Sequence, residues 1–410
     1  MRTEDVAAPE ANALTTTKGP DDSRAQAIAL FGGGVLLPDG LVRPAAILIS
    51  GSRIVECGEL AGAAITPRTR RIDIDALTIL PGLIDAHAHL TLVPAIKGGS
   101  SADVADAAAA KARDAVRAGV TTVRDVGGYR HADLELRDAI AAGDVDGPAM
   151  QCAGQVIIRA GAPGEEIGVG VKAASQLRAV THAEIEAAAD LVKVIGSGGV
   201  LGGADDIFFS ERELRDVVAE ASGADVPVAV HAHPAAAVKN AVRAGAASVE
   251  HGSFLDDEAV AAMLDSDAYL VPTFAIYELL ARSSSDSAVA RTAASILSRK
   301  SASFRLALER GVRWGVGSDA DASARPALLV DEAAFLVREL GLTPREVVTA
   351  MTRGNAQLLG IGGEVGSIEP GRRADLTIVE GNPLRDIEAL RRVALTVTRG
   401  VVHDWRPAPD

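Results

Sequence analysis

The chain has 410 residues, 48% of them apolar, and a formal net charge of -14. That length suits one large barrel or two to three ordinary domains with a sizeable core. The acidic balance argues against nucleic acid or a membrane surface as partner, because both are met with basic patches.

Residues 1–24 are polar and lack the apolar stretch of a signal peptide, so they read as a flexible tail. No run reaches the length of a membrane span. The two cysteines, Cys57 and Cys152, are far apart and in no metal-binding pattern. This fits a reducing, cytoplasmic compartment and no disulfide framework.

Over residues 25–80, apolar runs such as Ala46–Ile49 and Arg53–Cys57 are broken by Gly, Pro and Asp. The pattern predicts strands and tight turns. The same texture returns over residues 355–407, in "GSIEPGRRADLTIVEGNPL" and "ALTVTRGVVHDW". The two flanks predict one small β-sandwich domain built from both segments.

Residues 81–354 alternate between short apolar runs and Ala-rich helical stretches. Eight runs qualify as strands: "TILPGLIDAHAHL", "VTTVRDVGG", "AMQCAG", "LVKVIGSGG", "VPVAVHAHP", "ASVEHG", "YLVPTF" and "VRWGVGSDA". Repeated βα units predict a parallel sheet, and eight of them predict an α/β fold closed as a (β/α)8 TIM barrel. Active sites of such barrels lie at the C-terminal ends of the strands. The first run ends in His87 and His89, and the second in Arg124, Asp125 and Gly127. The fourth carries Lys193, and the fifth ends in His231 and His233. The sixth ends in Glu250 and His251, and the eighth in Ser318 and Asp319. Five of the 8 histidines would converge on one mouth.

His87 and His89, two residues apart on a strand, share a face and can hold one divalent ion. Such pairs also occur on surfaces, but His231, His251 and Asp319 extend the set. Histidine with carboxylate suits Zn²⁺, with Mn²⁺, Fe²⁺, Co²⁺ and Ni²⁺ open. Lys193 lies between Val192 and Val194 in a strand buried on both faces. Two readings stand. Either it pairs with a carboxylate such as Asp319, or it is a neutral, nucleophilic amine that takes up CO₂ as a metal-bridging carbamate.

The stretches "PGLIDAHAHL", "LVKVIGSGGV", "VAVHAH", "SVEHG" and "VGSDA" resemble the metal-dependent amidohydrolase superfamily, in its imidazolonepropionase-like and prolidase-like branch. The resemblance covers roughly residues 27–405. It implies a binuclear centre of two divalent ions, with zinc the expected metal. His87 and His89 would bind the more buried α metal, and His231 and His251 the more exposed β metal. Carboxylated Lys193 would bridge both, and Asp319 would bind the α metal and handle the proton. The resemblance also implies a homo-oligomer.

The reaction expected is hydrolysis of an amide C–N bond in a dipeptide, N-acyl amino acid or related small amide. The nucleophile would be a hydroxide held between the metals. Asp319 would take the water proton and pass it to the leaving amine. His233 would either hydrogen-bond the substrate or only orient His231. Tyr129, Arg130, Arg159 and Tyr277 stand in the expected loops after strands two, three and seven, as candidate substrate contacts. Arg130 or Arg159 would hold a substrate carboxylate. After strand three, many relatives carry a Gly-Gly-His-Gly type sequence, whereas this chain has Gly161-Ala162-Pro163-Gly164. Opening of a cyclic amide or lactone, or deamination of a small heterocycle, is the alternative reaction. A non-catalytic scaffold is a third reading, but all six ligand positions are filled.

Overall fold

The computed structural model describes residues 27–58, 65–92, 100–200, 203–283, 286–320 and 328–407. The tail expected over residues 1–24 lies outside the described residues. Among them, no helix is long and apolar enough to cross a membrane.

Parallel strands alternating with helices form the middle of the chain. One ladder joins Leu83–Ala88, Val120–Asp125 and Ala149–Cys152. A second runs Gly168–Val171, Val156–Arg159, Val192–Ile195, Val228–Pro234, Ser248–Phe254, Tyr269–Val271, all parallel. Seven of the eight expected runs are thus strands. The eighth, residues 312–320, is extended but irregular. It makes isolated parallel bridges from Trp314 to Leu270 and from Ala320 to Ala88. Val316 O accepts from Ala86 N at 3.1 Å, and Asp319 N donates to His87 O at 2.7 Å.

The expected single closed ladder is therefore two ladders, linked on one side by an irregular segment. The other break has a local cause. The third run is interrupted at Gly154, whose φ of +67° favours glycine. Beyond that kink, Val156–Arg159 and Gly168–Val171 are strands where a glycine-rich loop was expected.

Helices follow most of the strands, among them Ser101–Arg117, Glu211–Ser222, Ser287–Arg310 and Leu328–Arg338. Ser100 with Asp103 and Ser210 with Glu213 close reciprocal capping boxes on the first two. An additional helix, Phe274–Ser283, replaces the loop expected after the seventh strand.

The flanking segments form two further sheets. One orders Arg53–Gly58, Ala46–Ser50, Ile28–Phe31, Arg70–Asp73. The other orders Val401–Asp404, Val393–Thr398, Leu376–Glu380, Leu77–Pro81, Gly34–Leu36, Val42–Pro44. Leu30, Ile47 and Ile49 of the first sheet and Ile79, Leu376 and Ile378 of the second share one apolar core. Leu77–Pro81 passes through Gly82 straight into Leu83–Ala88, the strand carrying His87. Asn355, expected to open the C-terminal β segment, sits beneath the parallel strands instead. Its amide donates to Ile84 O at 2.6 Å and Val316 O at 2.8 Å, and accepts from Val316 N at 2.9 Å. It clips the first strand to the eighth segment.

Candidate metal centre

The strand ends bring His87, His89, Lys193, His231, His251 and Asp319, and helix Phe274–Ser283 brings Tyr277, onto the wall of one cavity of about 260 Å³. Adjacent imidazoles are close: ring centres are 5.1 Å apart for His87 and His251 and 4.4 Å for His231 and His251. Asp319 Oδ1 lies 3.2 Å from His87 Nε2 and 3.5 Å from His89 Nε2. Ligands sharing one tetrahedral ion with bonds of about 2.1 Å stand about 3.4 Å apart, so this spacing fits a metal vertex. His87 Nε2 is buried and, among the described residues, makes no hydrogen bond of good geometry. An orphaned buried nitrogen is costly unless something else binds it. Together His87, His89 and Asp319 form a donor set suited to a metal ion.

Three of the rings are held on their far side, while His231 Nε2 meets Gly198 O at 3.3 Å. His87 Nδ1 meets Glu250 Oε2 at 2.7 Å, His89 Nδ1 meets Gly127 O at 3.1 Å, and His251 Nδ1 meets Thr273 Oγ1 at 2.8 Å. The carboxylate and the carbonyl can only accept, so they fix the tautomer of His87 and His89 that leaves Nε2 free as a ligand. Three non-glycine residues here carry left-handed backbone: His251 at φ +75°, Thr273 at +53° and Asp319 at +54°. Strain of this kind gathers at functional sites.

Burial lowers the pKa of His89 to about 4 and of His231 to about 3, and holds His233 and His251 well below the usual imidazole range. Neutral rings keep their lone pairs for a cation. Burial alone would raise the Asp319 carboxyl, but His87, His89 and Lys193 outweigh it and bring it down to about 2. Burial lowers the Lys193 amine to about 8, against the pull of Glu250 and Asp319. Lys193 is 1% exposed, and among the described residues no carboxylate comes within ion-pair distance of it. The expected alternative of a direct Lys193–Asp319 pair is not formed.

Glu250 and Arg124 support the centre and were given no role from the sequence. Glu250 is fully buried and also accepts from Arg124 Nη2 at 2.9 Å and Ser248 Oγ at 2.6 Å. Arg124 Nε donates to Ala86 O at 2.5 Å. Their signal was opposite charges on two strands buried on both faces, which must pair.

Other candidates lie elsewhere. His233 is fully buried and is not on the cavity wall. Its Nδ1 meets Ser253 Oγ at 2.8 Å and its Nε2 meets the Tyr277 hydroxyl at 3.2 Å. Both nitrogens are therefore taken, and Tyr277 faces the cavity in its place. Arg159 is not on the wall either: its guanidinium bonds Glu213 at 2.6 Å and Phe208 O at 2.8 Å. Tyr129 and Arg130 line a different cavity of about 230 Å³, against helices Ser101–Arg117 and Ala132–Ala142. Apart from Ser197, the rest of the wall carries no polar side chain among the described residues and includes Ile158, Ile167, Ile195, Phe208, Ile276 and Leu280.

Comparisons with known proteins bear on the fold and the family. The amidohydrolase family model matches residues 78–402. A solved prolidase complexed with N-methylphosphonate-L-proline superposes with a TM-score of 0.86 at 27% identity, covering 92% of this chain and 100% of that one. The ochratoxinase of Aspergillus niger is 28% identical over 427 residues, spanning 92% of this chain and 85% of its own. The imidazolonepropionase of Streptomyces coelicolor is 25% identical over 386 residues, 84% of this chain and 87% of its own. The architecture is accordingly TIM-barrel-like, and the chain belongs to the amidohydrolase family, in its imidazolonepropionase- and prolidase-like branch, as a hydrolase of C–N bonds.

Proposed function

We propose that this protein hydrolyses the amide bond of a small, largely apolar amide, such as an N-acyl amino acid or a dipeptide with apolar side chains. The observation that carries the reading is the orphaned Nε2 of His87, set beside His89 and Asp319 on an apolar cavity wall. Among the described residues, the only cationic side chain on that wall is Lys193, so an arginine clamp for a substrate carboxylate is not part of the proposal. An ochratoxinase and a prolidase among the relatives fit an amide substrate. We place the chemistry in a (β/α)8 barrel-like arrangement of the two parallel ladders beside a β-sandwich.

His87, His89 and Asp319 would hold one divalent ion, and His231 and His251 a second, with carboxylated Lys193 between them. Bound ions supply a water acidic enough to ionise near neutral pH and a Lewis acid for the carbonyl. The neutral Lys193 amine adds to CO₂, an N–C bond forms, one proton leaves, and a two-oxygen anion results. The apolar wall receives the substrate side chain and limits water around the amide. The Asp319 carboxylate, held ionised, accepts the proton of the attacking water and delivers it to the departing nitrogen.

The test is a panel of dipeptides, N-acyl amino acids and aminated heterocycles given to Zn²⁺-loaded protein, with free amino acid and ammonia measured separately. Free amino acid is expected, and Asp319→Asn should lower turnover by about 10²–10⁴-fold with the fold retained. Ammonia alone would replace amide hydrolysis by deamination. Near wild-type turnover in the variant would remove Asp319 from proton transfer.

A further inference from the structure

Behind the cavity wall lies a buried amine outside the proposed chemistry. Lys300, on helix Ser287–Arg310, and Glu332, on helix Leu328–Arg338, are both fully buried. Both helices pack against Phe274–Ser283, which lends Ile276, Tyr277 and Leu280 to the cavity. Glu332 Oε2 accepts from Ala275 N at 2.6 Å and so caps the first turn of that helix. Phe274 stacks on Phe335 with ring centres 4.9 Å apart and meets Phe304 edge-on at 5.5 Å, which ties the three helices together.

Lys300 Nζ makes two contacts that matter for the site. It donates to Thr273 O at 3.3 Å, and it stands 4.3 Å from the centre of the Tyr277 ring. Thr273 holds His251 through its hydroxyl, and Tyr277 holds His233 through its own. One amine therefore touches both residues that link this wall to the histidines. Burying an amine costs free energy that only a specific set of contacts can offset. A methionine of similar length would fill the space without that cost, so a purely packing role gives no reason for a lysine.

We propose that Lys300 is a positioning residue that fixes the Tyr277 ring and the Thr273 backbone together, setting the Tyr277 hydroxyl against His233 and the His251 ring against Thr273. The inference rests on the cavity being the amide site, but its first readout needs no substrate. The chain has 3 tyrosines. Biosynthetic 3-fluorotyrosine gives each a fluorine resonance, and Tyr277→Phe identifies the one from Tyr277.

Lys300→Met should move the Tyr277 resonance and leave those of Tyr129 and Tyr269 in place. With a responding amide it should lower kcat/KM about tenfold, the scale of a desolvated amine–ring contact. Combined with Tyr277→Phe, the two losses should be less than additive, because they break one unit. Lys300→Gln, which keeps an N–H for Thr273 O, is the second variant if Lys300→Met does not fold, and it should move the same resonance. An unmoved Tyr277 resonance in a folded variant, or fully additive losses, would overturn the proposal. A moved resonance in a protein that hydrolyses no amide would leave the positioning standing and sink the amide reading instead.

Discussion

Glu250 stands between an arginine and the histidine whose Nε2 lies beside Asp319. It accepts from Arg124 and holds His87 Nδ1, so it sets both the charge and the tautomer behind His87 Nε2. Glu250→Gln keeps the shape and removes the charge, leaving Arg124 buried without its counter-ion. The expected result is metal affinity about 10–100-fold weaker in a chelator competition. Affinity equal to wild type would mean that His87 is oriented by packing alone. Lys193→Ala should lose metal and activity, with partial recovery on adding a short carboxylic acid. Full metal content without recovery would count against the carbamate. The six proposed ligands were legible because histidine, lysine and aspartate at strand ends are few and conspicuous. Glu250 and Arg124 were visible as charges in buried strands, but their partners come from strands far apart in sequence. The displacement of Arg159, on a strand, depends on Glu213, on helix Glu211–Ser222, which spacing cannot report.

At the scale of elements, the first strand and the eighth segment together carry His87, His89 and Asp319. Asp85 fastens them from within, accepting from Ser318 N at 2.9 Å and Ser318 Oγ at 2.6 Å. Gly317 permits the close approach: a Cβ there would stand 2.5 Å from His87 Cβ and 2.9 Å from His87 N. Gly317→Ala should push the segment off the strand. A stability loss of about 1–3 kcal/mol is expected in denaturant unfolding, with weakened metal binding. A variant with unchanged metal affinity would show that the segment tolerates the shift. Periodicity revealed most helices and strands here because burial repeats every second residue or every three to four. Phe274–Ser283 escaped it because Glu332, a remote residue, caps its first turn. The irregularity of the eighth segment escaped it too, since its bonds are set by neighbours on both sides.

The molecule joins its two parts through shared backbone and shared hydrogen bonds. Thr377 Oγ1 donates to Gly119 O at 2.6 Å, and Thr396 Oγ1 donates to Val116 O at 2.7 Å. Both threonines belong to the six-stranded flank sheet, and both acceptors to the parallel region. The texture of the flanks pointed to paired β segments, but this seam is invisible in sequence because threonines in strands look ordinary. Asn355 is the sharpest case, because a side chain beyond the last expected barrel unit clips the first strand to the eighth segment. This bears on the order in which the protein is made. A nascent chain released only through residue 354 already holds all six proposed ligands, yet lacks the amide that draws two of their backbones together. Drawing those two backbones together is then an event of the completed chain, set by a residue outside the six proposed ligands.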